Sequence, residues 1–94
     1  MEAGDFVLVR ANSAGVHFGT LVSINGTETR LSNARRLWKW VGANTDDNRP
    51  GSLHEVASLP FNIAKSNISA PVEEIILPTT VEVIKVGKNS NLPR

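Results

Sequence analysis

Ninety-four residues, 40% hydrophobic and 20% charged, describe one globular domain that is too short for two cores. Ten Lys and Arg against nine Asp and Glu leave a formal charge of +1, without the basic excess that binders of long nucleic acid carry. The absence of cysteine excludes disulfides, thiolate zinc sites and a cysteine nucleophile. No apolar run reaches the roughly 18 residues of a membrane span, and Glu2 and Asp5 are unlike a secretory leader, so a cytosolic protein with no membrane partner is expected.

Phe6-Val7-Leu8-Val9-Arg10 is apolar and β-branched and reads as a buried strand. Asn12-Ser13-Ala14-Gly15 is a small-residue turn in which Gly15 is free to take positive φ. Val16 to Ile24 and Thr27 to Ser32 flank Asn25-Gly26, a hairpin signal of the type I′ kind. A two-residue loop there sets Ile24 opposite Thr27, Val22 opposite Thr29 and Thr20 opposite Leu31. That register puts Val16, Phe18, Val22, Ile24 and Leu31 on one face, expected to be core, and His17, Gly19, Leu21, Glu28 and Arg30 on the other.

Asn33-Ala34-Arg35-Arg36-Leu37-Trp38-Lys39-Trp40 holds both tryptophans of the chain beside three cations. A helix would separate the indoles by about 200° and offer no apolar stripe. A strand is therefore expected, with Arg36, Trp38 and Trp40 on one face and Arg35, Leu37, Lys39 and Val41 on the other. Gly42 to Gly51 is a polar loop. Ser52-Leu53-His54-Glu55 is a capping box that starts a short helix from Leu53 to about Ser58. Pro71 to Leu77 and Val81 to Val86 are strand-like, separated by Pro78-Thr79-Thr80. The predicted fold is mostly β (α+β): a compact small sheet or open barrel of five or six strands with one short helix, over residues 1–86. Residues 87–94 lack apolar periodicity and are expected to form a flexible tail.

Catalytic constellations are sparse. His17 and His54 lie in different elements and lack metal-ligand spacing. Glu73 and Glu74 point to opposite faces of a strand and do not make a dyad. Asp46-Asp47 lacks the ligand pattern of a calcium loop. No enzyme, cofactor or metal is expected. Planar indoles beside fixed positive charge instead suit a flat, anionic ligand. The candidate ligand-binding residues are Arg35, Arg36, Trp38 and Trp40, joined by Ser13, Gly15 and His17, whose turn offers amides and small side chains to a phosphate or ribose. For the tryptophans, service as core or interface anchors remains an equal alternative.

Val7-Leu8-Val9-Arg10, Ser13-Ala14-Gly15-Val16-His17-x-Gly19-Thr20-Leu21 and Ala34-Arg35-Arg36-Leu37-Trp38-x-Trp40-x-Gly42-Ala43 resemble a widespread family of small phage-encoded proteins. Ser52-Leu53-His54-Glu55 and Pro71-Val72-x-Glu74-Ile75 extend the match over roughly residues 6 to 86. The family is described as a domain of unknown function, and the chain is similar to viral sponge proteins that sequester cyclic nucleotide signals of bacterial anti-phage (CBASS) defence. The resemblance implies a homo-oligomer in the host cytoplasm that binds a cyclic dinucleotide or trinucleotide, such as cyclic GMP-AMP, without cleaving it. The loop from Asn44 to Gly51 is longer than in that pattern, which bears on ligand choice if it rims the pocket. Two other functions compete: a small β-barrel protein-interaction module anchored by the tryptophans, and a single-stranded nucleic-acid binder on an OB-like sheet.

Overall fold

A computed structural model describes residues 1–42 and 51–94. The predicted loop of residues 42–51 therefore falls largely outside the described residues, as does any role for it at a pocket rim. The chain forms β1 (Phe6–Ala11), β2 (Gly15–Asn25), β3 (Glu28–Lys39), α1 (Leu53–Ser58), a 3-10 turn (Ile63–Lys65), β4 (Asn67–Ile68), β5 (Val72–Leu77) and β6 (Thr80–Lys85). The fold is mostly β, an antiparallel open sheet of six strands with one short helix.

The sheet runs β4-β3-β2-β1-β6, and β5 lies beside the first half of β3 while β4 takes its far end. β5 and β6 sit on opposite edges, yet only Pro78 and Thr79 separate them in the chain. So short a link forces the sheet to curl until its edges meet. The corner is tied where Thr80 donates its amide to the Thr27 carbonyl (2.9 Å) and its hydroxyl to Thr29 Oγ1 (2.8 Å).

Curling creates two apolar layers that share β1. Phe6 and Leu8 pack with Val16, Phe18 and Leu37 under α1 and Phe61. Val7, Val9 and Ala11 point the other way, into the concave side with Leu21, Leu31, Ala34 and Leu77. A strand covered on both faces needs an unbroken apolar run, which explains why Phe6 to Val9 shows no alternation. Ser52 caps α1 as expected, its hydroxyl accepting the Glu55 amide at 3.1 Å.

Three expectations are corrected. The β2–β3 turn centres on Gly26-Thr27, with Asn25 opposite Glu28 and Ile24 opposite Thr29. Gly26 alone takes positive φ (62°), the pattern of a type II′ rather than a type I′ turn. Bulges then rephase the faces: Asn33 (φ 49°) and Ala34 together oppose Gly19, and Val22 is the extra residue opposite the Arg30–Leu31 step. Val22 and Ile24 are consequently 38% and 47% exposed, and Leu21 takes the core place. Finally, residues 87–94 are docked. The Asn91 side chain accepts from the Phe61 amide (3.0 Å) and donates to the Phe61 carbonyl (2.9 Å). Ser90 bonds the Val56 carbonyl, Leu92 is buried in the outer layer, and Arg94 sits 4.6 Å over the Phe6 ring. A helix as short as α1 leaves carbonyls and apolar edges open, and the tail covers them.

Candidate functional site

The β1–β2 turn and the Arg/Trp strand meet on the concave side of the sheet. Ser13 (φ 65°) and Gly15 (φ 81°) both take left-handed backbone, which reverses the chain within Asn12-Ser13-Ala14. Gly15 then opens β2 opposite Ala11, and two residues on His17 lies between Val9 of β1 and Arg36 of β3. The Arg36 guanidinium folds back over Gly15. A Cβ at that glycine would stand 3.3 Å from Nη2 and 3.6 Å from Nε, so the missing side chain makes the seat. The backbone of Arg36 is held from its far side: its amide donates to Ser69 Oγ (2.8 Å), and its carbonyl accepts the Ser69 amide (3.0 Å).

His17 is 7% exposed, and its Nδ1 is buried without a hydrogen-bond partner. Burial, and secondarily the Arg36 charge, hold its pKa below the ordinary 6.5. The imidazole is therefore neutral at pH 7.

The remaining candidates are dispersed. Arg35 points to the opposite face, level with Phe18. Its Nη1 approaches the Ser69 carbonyl at 3.3 Å, while its Nε is buried and unpartnered. Trp40 packs against the outer layer and donates Nε1–H to the Gly51 carbonyl at 2.7 Å. Trp38, 54% exposed, occupies a bulge between the pairs Leu37–Ile68 and Lys39–Asn67. That bulge breaks the alternation that would have set Arg36, Trp38 and Trp40 on one face. Gly15, His17 and Arg36 thus converge with Ser13 at the adjoining turn, Trp38 stands exposed two residues along β3, and Arg35 and Trp40 serve the other side.

Charge sharpens the contrast. Arg10 faces Glu82 (3.6 Å), Arg30 holds Glu74 (2.8 Å) and Lys85 faces Asp5 (3.8 Å). Arg35, Arg36 and Lys39 have no carboxylate partner among the described residues. A nearly neutral protein therefore keeps uncompensated positive charge along one stretch of β3, with Arg36 on the concave face and Arg35 on the other.

Sequence reasoning missed a second locus, an open cleft of about 230 Å³ lined by Arg10, Ser52, Leu53, His54 and Glu82. It depends on the non-local pairing of Arg10 with Glu82 across β1 and β6, for which no local pattern exists. Glu82 faces Arg10 there and lies 3.4 Å from His54 Nε2. Among the described residues no cluster of three or more His, Asp or Glu can hold a metal, and no helix is long and apolar enough to cross a membrane.

Fold and site together define a small antiparallel β domain in which Gly15, His17 and Arg36 meet on the concave side of the sheet. The chain belongs to the DUF6948 family, described as a domain of unknown function, which it matches over residues 4–91. No curated protein and no solved structure gives a significant match.

Proposed function

We propose that this domain is a non-catalytic nucleotide sponge, a phage immune-evasion protein of the host cytoplasm that sequesters a cyclic oligonucleotide such as cyclic GMP-AMP. The observation that carries the proposal is the cationic stretch of β3, uncompensated while cations elsewhere in the sheet have carboxylate partners, with Trp38 exposed beside it. Arg36 meets phosphate and Trp38 stacks on a base. Stacking contributes about 1–3 kcal/mol per base and a charge-assisted hydrogen bond about 1.5–3 kcal/mol, so a few such contacts approach the roughly −12 kcal/mol of nanomolar binding. A cyclic dinucleotide repeats phosphate and base, and a homo-oligomer presents Arg36 and Trp38 in the same repetition.

Calorimetry with cyclic dinucleotides and trinucleotides tests the proposal, followed by mass spectrometry of the recovered ligand. Tight binding, lost in Arg36→Ala and Trp38→Ala, with ligand returned intact, is expected. Wild-type affinity in both variants removes the stretch from the site, and a cleaved product makes the protein an enzyme. A protein-interaction module is the second reading, favoured by exposed Val72 and Ile76 on β5, which pairs only with β3 among the described strands. No thermal shift with any nucleotide, together with co-purification of a specific protein, selects it.

A further inference from the structure

The unpartnered Nδ1 of His17 carries information about what the concave site receives. A buried N–H without an acceptor is rarer and costlier than a bare lone pair, so the proton of the imidazole belongs on Nε2. Nδ1 is the sealed and orphaned nitrogen, whereas Nε2, which makes no hydrogen bond within the described residues, keeps access to solvent. Directly opposed residues of an antiparallel pair hold their Cβ atoms about 4.5–5.5 Å apart, so the His17 and Arg36 side chains leave the same face of the sheet as neighbours, close enough for the Arg36 charge to act on the imidazole. Gly15 leaves that guanidinium room to lie back against the β2 backbone. The result is a cluster of donors, one charged and one neutral, with no acidic side chain paired to either among the described residues.

We infer that Gly15, His17 and Arg36 form an oxyanion receptor, in which His17 Nε2–H and the Arg36 guanidinium donate side by side to one phosphate or phosphodiester group. The inference rests on the proposed nucleotide function only for the identity of the natural ligand. Exposed Arg36 supplies the Coulombic attraction and buried His17 the directional bond.

The test is a nuclear magnetic resonance titration of the two histidine rings with dimethyl phosphate, inorganic phosphate and phosphate-free adenosine. Both phosphates are expected to move the His17 resonances and leave exposed His54 in place, while adenosine moves neither. Ring nitrogen shifts are expected to show the Nε2–H tautomer. Arg36→Gln is expected to weaken phosphate binding at least tenfold, whereas Arg30→Gln, the same charge loss on the same strand, stays within twofold. His17 resonances unmoved by both phosphates, an Nδ1–H tautomer, or equal weakening by the two variants overturns the receptor. The wild-type titration decides even if Arg36→Gln fails to fold. Tight cyclic GMP-AMP binding with His17 unmoved refutes the receptor and spares the proposed function. Phosphate binding at His17, with no cyclic nucleotide binding more tightly than dimethyl phosphate, refutes the function and spares the receptor.

Discussion

Gly19→Ala tests the β2–β3 bulge, on which the register of the whole Arg/Trp strand depends. A Cβ at Gly19 would lie 2.8 Å from the Ser32 carbonyl oxygen, 3.0 Å from Ala34 Cα and 3.2 Å from the Asn33 carbonyl oxygen. All three are backbone atoms of the bulged strand, so no side-chain rotation relieves the contact. Overpacking costs about 1–3 kcal/mol, and the upper half applies where backbone must move. Replacing glycine restricts the unfolded chain and offsets about 0.4–1 kcal/mol of that. The net loss is about 2 kcal/mol, which for a domain of this size lowers the melting temperature by about 8–16 °C. Thermal unfolding followed by circular dichroism measures it directly. Gly87→Ala is the control, since its Cβ would meet the Ala57 carbonyl at an ordinary 3.6 Å, and a change within about 0.5 kcal/mol is expected. A Gly19→Ala protein that melts within about 3 °C of wild type refutes the bulge, because a 2 kcal/mol clash cannot hide in so small a shift.

The two tryptophans should separate in stability and in fluorescence. Trp40→Ala loses outer-layer packing and the bond to Gly51, for about 3–5 kcal/mol; Trp38→Ala costs under about 0.5 kcal/mol, and iodide quenches Trp38 far more than Trp40. Asn91→Ala breaks both bonds to Phe61 and should cost about 1–3 kcal/mol in guanidinium denaturation; an unchanged midpoint would show the tail to be undocked. Because the folded pKa of His17 is depressed, the unfolded chain binds more protons between that value and 6.5, so His17 contributes its stability above pH 6.5 and loses it as pH falls through the folded value. Stability of the wild type, compared with His17→Gln over about pH 5 to 7, should show this slope in the wild type only.

Local patterns made much of the fold legible. The apolar run of β1, the Ser52 capping box and the strand character of the Arg/Trp stretch are each settled within a few neighbouring residues. The hairpin register was not, because Gly26 can serve as the second central residue of one turn or the first of another. The anticipated turn would have set His17 opposite Ala34. Centring it on Gly26-Thr27 slides β3 by two residues and sets Arg36 there instead. The site thus owes its pairing to tertiary choice: burial of Leu21 beside Leu31 outweighed that of Val22 and Ile24. Residues 87–94 were illegible for a different reason. Polar residues such as Asn91 carry no periodicity, and their partners on Phe61 lie 30 positions away.

The strand shared by the two apolar layers has a consequence for how the molecule comes apart. Phe6 and Leu8 belong to one layer, Val7 and Val9 to the other, and the same backbone carries both. Neither layer can open alone without drawing β1 out of its ladder with β2 and β6. Sub-global opening is thereby suppressed at the centre of the sheet. The amides of Val7, Leu8 and Val9 should exchange with deuterium only through complete unfolding, at a free energy equal to that of the whole domain.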